Sequence, residues 1–206
     1  MRKTPGEVFD FVILRRKQMS VVVAIKKDGV VYMGADTQTT SGIQRRNYLK
    51  ESNLKIATFD NGMIIGHVGA VSRKSILFHS KNIIPKLKIP KEGLTKKVIC
   101  EQLIPMLRDQ DVFFDKEEAE VDASMLIGYG DKLFRVRNES VTEINEYCCI
   151  GSGVDFAWAV MEIYHERLDP VSLLDKAMRA SANKISSVSG PFVFVNTKDR
   201  KIEVRE

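Results

Sequence analysis

Cysteine and histidine are scarce in this chain. Among 206 residues there are three of each: Cys100, Cys148 and Cys149, and His67, His79 and His165. No pair of cysteines has a metal-ligand spacing, so neither a zinc site nor a disulfide framework is expected. The adjacent Cys148 and Cys149 lie in an apolar run and read as small hydrophobes, which suits a reducing cytoplasm. No Gly-x-Ser-x-Gly elbow accompanies the histidines, which argues against a Ser-His-Asp triad. No apolar run is long enough to span a membrane, and no phosphate-binding loop is present. The chain has no linker, repeat or low-complexity tract. The net charge is +5, but Lys and Arg are scattered and no nucleic-acid motif accompanies them. Neither nucleic acid nor membrane is therefore an expected partner, and no cofactor is expected.

What the chain has is a core: 44% of its residues are hydrophobic and 29% charged, as in a soluble domain of ordinary size. Its organising stretch is Met19 to Asp36. Ser20 opens the apolar strand Val21-Val22-Val23-Ala24-Ile25, Asp28-Gly29 turns the chain, and Val30 to Ala35 run back to Asp36. Strand, Asp-Gly, strand predicts a hairpin. Near-continuous apolarity in both strands predicts a place inside a layered fold. A hydroxyl residue at the head of such a strand has a chemical use. In a chain beginning at Ser20, one residue would carry both a nucleophile and a free amine to activate it.

Beyond Asp36 the polar residues 37–42 and the basic segment 45–50 read as loop. Strands follow at 54–59 and 63–68, split by Asp60-Asn61-Gly62. Helical period predicts a helix with Ile76, Ser80, Ile83, Ile84 and Leu87 on one face, and a second through Val98, Ile99, Leu103, Met106 and Leu107. Pro105 falls near the end of the second helix or at a kink in it. The acidic run 109–120 reads as a solvated loop. Strands return at 123–129, 133–137 and 141–147. Ile150-Gly151-Ser152-Gly153 then turns into a helix with Phe156, Ala157, Val160, Met161 and Tyr164 inward. Asp169-Pro170 caps another helix, burying Leu173, Leu174, Ala177 and Ala180. A serine-rich turn at 186–190 leads to a closing hairpin, 192–196 with 201–205. Strands, two helices, strands, two helices, strands is not a βαβ order. It predicts an α+β fold, a four-layer αββα sandwich of two antiparallel sheets between helix pairs.

This layout and four motifs resemble the proteasome family of N-terminal-nucleophile hydrolases. The motifs are the hairpin Ser20 to Asp36, Leu54-Lys55-Ile56, Gly66-His67-Val68-Gly69-Ala70, and Ile150-Gly151-Ser152-Gly153 followed by a helix. They occur in the family's order, and the resemblance covers residues 20–206, closer to β-type and HslV-type subunits than to α-type ones. It implies a self-compartmentalised endopeptidase built of rings of this chain or related subunits, acting on unfolded protein or peptide. A separate ATP-dependent unfoldase would feed it.

Residue by residue, the resemblance makes Ser20 the nucleophile in place of the family's threonine. It makes Lys55 the active-site lysine, Asp36 its carboxylate partner and Gly69 the N–H donor to the oxyanion. Ser152 becomes the serine beside the terminal amine, and Ser189 the serine of the later Ser-Gly turn. Each has a plainer alternative: a strand-start serine, an edge lysine, a strand-ending aspartate or glycine, and turn serines. One departure stands out. Ser186 occupies the position of the family's aspartate before Ser189-Gly190, which thins the network around the amine. A non-catalytic ring subunit and a small-molecule amidase of the same superfamily remain competing expectations. Residues 1–19 are expected to be an N-terminal extension, either a propeptide or the product of a mis-assigned start at Met1 with Met19 as the true initiator.

Overall fold

The computed structural model describes residues 20–41, 44–47, 49–50, 54–69, 84–109, 124–137 and 139–206. The predicted extension 1–19, most of the predicted helix over 76–87, His79 and nearly all of the acidic run lie outside these residues.

The organising hairpin forms as read. Strand β1 (Val21–Lys27) pairs antiparallel with β2 (Val30–Asp36), with Lys27 opposite Val30. Asp28 and Gly29 both take positive φ, 51° and 73°, the geometry that matches the twist of a two-residue hairpin. β3 (Gln38–Ser41) and β4 (Gln44–Asn47) then form a separate two-stranded ribbon where the sequence reads as loop. The polar side chains of this ribbon hid it, since neither face alternates towards a core. β5 is short (Ile56–Thr58), so Lys55 stands just ahead of it. β6 spans Met63–Val68.

Helix α1 is assembled from Lys96–Val98, a π turn at Ile99–Leu103, and Ile104–Arg108. Pro105 explains the wide turn. It has no N–H to give the Glu101 carbonyl, and the Ile104 N–H reaches back to Ile99 instead.

Strands β7 (Ser124–Tyr129), β8 (Lys132–Arg137) and β9 (Ser140–Ile144) follow. The predicted strand 141–147 is in fact two. β9 stops at Ile144, and the chain crosses to the other sheet as β10 (Tyr147–Gly151), pairing Val22 with Ile150. Helices α2 (Val154–Tyr164) and α3 (Pro170–Ala182) come next, then β11 (Phe192–Asn196) and β12 (Glu203–Arg205).

Two five-stranded antiparallel sheets result, ordered β10-β1-β2-β11-β12 and β5-β6-β7-β8-β9. Strand alternation divides the core into three layers. Val22, Ala24, Met33, Ile64, Leu126, Ile150 and Val193 fill the space between the sheets. Val21, Val23, Ile25 and Phe194 pack outward on Ala157, Met161, Leu173 and Leu174 of α2 and α3. Met63, Met125, Ile127 and Phe134 pack the other way, on Ile99, Leu103 and Leu107 of α1. Three consecutive valines of β1 have no exposed surface, and fully burying each is worth about 1.5–3 kcal/mol. Phe156, expected inward on α2, is 37% exposed. On α3, Met178 and Ser181 are buried along with the expected Leu173, Leu174 and Ala177.

Candidate active site

The start of β1, the ends of β2 and β10 and the segment before β5 meet at one end of the sandwich. Ser20 sits there, 5% exposed. Its backbone nitrogen donates to Ser152 Oγ (3.2 Å), and Ser152 Oγ in turn lies 3.2 Å from the Ser20 carbonyl oxygen. Ser152 belongs to the tight turn from β10 into α2. Gly151 makes that turn possible: its φ is +104°, and a Cβ there would sit 2.1 Å from the Ser20 carbonyl oxygen.

Asp36 ends β2 with both carboxylate oxygens engaged. Oδ1 accepts from the Val21 N–H at 2.8 Å, and Oδ2 accepts from Lys55 Nζ at 2.5 Å. Lys55 Nζ also donates to the Gln38 carbonyl oxygen at 2.7 Å, and the Lys55 carbonyl accepts from the His67 N–H at 2.8 Å. The lysine is thus held by its backbone to β6 and by its ammonium to β2 and β3. Its side chain is 6% exposed and that of Asp36 0%. Burial pushes the Asp36 carboxyl up and the Lys55 ammonium down, while their mutual attraction and hydrogen bond pull both back. Asp36 therefore links the buried Lys55 ammonium to the backbone N–H of Val21, the residue that follows Ser20.

Gly69 follows β6 with φ +139°, a conformation that disfavours any residue with a Cβ. Ser189 is held elsewhere: its hydroxyl donates to Asn47 Oδ1 (3.1 Å), and Asn47 Nδ2 donates to the Gly190 carbonyl (2.6 Å), tying the β3–β4 ribbon to the α3–β11 turn. The serine that meets Ser152 is Ser187, Oγ to Oγ at 3.2 Å.

Sequence reading therefore brings together Ser20, Asp36, Lys55 and Ser152, and misses Gln38, Gly151 and Ser187. Gln38 was legible in principle, since it follows Asp36 by two positions and continues the face of an extended strand. Ser187 was not, being one of three serines in the turn 186–189. Among the described residues no group of three or more His, Cys, Asp or Glu is placed to hold a metal ion, and no helix is long and apolar enough to cross a membrane.

Two face-to-face antiparallel sheets with helices outside make up the proteasome-type fold. Within that class, the chain's sequence relatives are of the HslV type. It is 27% identical over 164 residues, 78% of this chain and 85% of the relative, to the ATP-dependent protease subunit HslV of Borreliella burgdorferi. The same subunit of Borreliella afzelii is 27% identical over an equal span. No family model matches the chain. Among solved structures it superposes on Thiobacillus denitrificans BPH in complex with epoxomicin with a TM-score of 0.69 at 20% identity, covering 85% of this chain and 97% of that one. HslV of Trypanosoma brucei gives 0.64 at 19% identity, covering 85% and 98%. Anbu, an ancestral β-subunit from Yersinia bercovieri, gives 0.66 at 12% identity, covering 89% and 86%. The resemblance drawn from the motifs holds, as does the sandwich it implied.

Proposed function

We propose that this chain is a subunit of a proteasome-like, self-compartmentalised endopeptidase of the cytoplasm, with Ser20 as its N-terminal nucleophile and residues 1–19 absent from the active form. The observation that carries the reading is the placement of the Ser20 nitrogen on Ser152 Oγ, next to a buried Asp36–Lys55 pair that also grips the Val21 N–H. In a chain that starts at Ser20, that nitrogen is an α-amine with an ordinary pKa of about 7.7–8.0. The neutral amine takes the Ser20 hydroxyl proton as the oxygen attacks the scissile carbonyl. The Gly69 N–H holds the oxyanion, and the protonated amine hands its proton to the leaving nitrogen. Water, activated by the same amine, then cleaves the ester. The chemistry requires no cofactor. HslV relatives are named as ATP-dependent. With no phosphate-binding loop in this sequence, a separate ATPase would deliver unfolded substrate.

The test is hydrolysis of an unfolded protein by chain released from a cleavable fusion so that Ser20 is its first residue. Ser20→Ala should lower turnover by about three orders of magnitude or more, and Ser20→Thr should keep or raise it. Full activity in Ser20→Ala would overturn the assignment. An inert, assembled Ser20 chain would point to a non-catalytic ring subunit. Turnover of small amides without protein cleavage would point to an amidase.

A further inference from the structure

We propose that Ser187 is a positioning residue for the Ser20 amine, acting through Ser152, so that two neutral hydroxyls form the relay behind that amine. The proposal rests on reading Ser20 as the nucleophile and extends it to a residue which that reading does not use.

Ser152 Oγ stands 3.2 Å from three atoms: Ser20 N, the Ser20 carbonyl oxygen and Ser187 Oγ. A hydroxyl has one proton and two lone pairs. One lone pair must face the Ser20 N–H, so the proton points to the Ser20 carbonyl or to Ser187. During attack the Ser20 O–H bond breaks, the Oγ–carbon bond forms, and the amine gains the proton. The resulting ammonium needs Ser152 as an acceptor more than the neutral amine does. Ser187 serves this state by accepting the Ser152 proton without involving the reacting residue. The proton leaves the ammonium when the scissile C–N bond breaks, and the relay relaxes with no net change.

The turn that carries Ser187 is held on both sides. Val188 is 2% exposed within the core under α2 and α3, and its N–H bonds the Ile185 carbonyl at 3.0 Å. On the other side the Ser186 carbonyl accepts from Gln38 Nε2 at 3.1 Å, and the carbonyl of that same Gln38 accepts from Lys55. Gln38 thus couples the lysine to the turn, and Ser187 sits between two fixed neighbours. Among the described residues, Asp36 of β2, which accepts from the adjacent Val21 N–H, and Lys55 ahead of β5 are paired with each other.

The experiment uses assembled chain beginning at Ser20. It measures the pH dependence of α-amine acylation, read by mass spectrometry of the N-terminal peptide, alongside kcat and KM across pH. Ser187→Ala should lower the amine pKa and kcat while leaving KM unchanged, and Ser187→Thr should restore both. Ser187→Asp should raise the amine pKa by about one unit, so that kcat/KM on the acid limb falls about tenfold at a given pH. An amine that titrates identically in wild type, Ser187→Ala and Ser187→Thr would overturn the proposal, as would an activity loss with no shift in the limb. If the amine shifts as expected but wild type cleaves no peptide, the peptidase reading fails while the relay stands. If wild type is active and the amine does not shift, only the relay fails.

Discussion

At the residue scale the site depends on a glycine as much as on its reactive groups. Ser20 has its nitrogen on Ser152, its carbonyl against Gly151, and its neighbour's N–H on Asp36. A methyl at Gly151 would collide with backbone, which cannot swing aside as a flexible side chain can. It would also force an L-residue to φ +104°. Strain of this kind costs about 1–3 kcal/mol before the collision is counted. Gly151→Ala should therefore lower the unfolding free energy by at least that much, read as a fall in the urea midpoint, and impair cleavage even where the protein still folds. A variant with wild-type midpoint and wild-type activity would show that Ser20 is not held as described. The Asp36–Lys55 pair makes the opposite point: two charges that burial disfavours are kept because each has more than one partner.

At the element scale the clasp between β10 and α2 is the most chemically specific contact outside the site. Tyr147 on β10 donates its hydroxyl to Glu162 Oε2 of α2 at 2.5 Å and meets Trp158 edge-on with ring centroids 5.1 Å apart. Burial and the Glu162 carboxylate push the Tyr147 phenol up to about 12. Its folded pKa lies above its ordinary value of about 10. The stabilisation is thus complete below about pH 10 and is lost as pH rises towards 12. In Tyr147→Phe the fall in stability between these pH values should be shallower than in wild type, measured by chemical denaturation at each pH. Equal slopes would mean that the clasp does not survive in solution. α2 begins just after the Ser152 turn, so this contact and the site share one helix.

At the scale of the whole molecule the sandwich leaves Phe156, Trp158 and Ile163 of α2 exposed at 37%, 40% and 57%. Singly exposed apolar side chains are ordinary on a monomer, so the ring assembly proposed above is tested by the oligomeric state itself. Light scattering on size-exclusion fractions should find a large closed oligomer, since heterologous contacts that close make rings. A clean monomer across micromolar concentrations would count heavily against a compartmentalised peptidase.

The features legible along the chain are those that depend on neighbours a few residues apart. The β1–β2 hairpin follows from Asp28-Gly29. The start of α3 follows from Asp169-Pro170, where the Asp169 side chain accepts from the Ser172 N–H at 3.0 Å. The three-layer core follows from alternation along β1, β6 and β10. Ser20, Asp36 and Lys55 were legible because their local motifs survive intact. Long-range packing set which sheet takes Tyr147–Gly151, that the polar segment after Asp36 pairs as a ribbon, and which serine of the 186–189 turn reaches Ser152. Those outcomes rest on contacts between residues far apart in the chain, 132 positions for Ser20 with Ser152 and 148 for Gln38 with Ser186. Their energies depend on how the sheets pack, which no local spacing encodes.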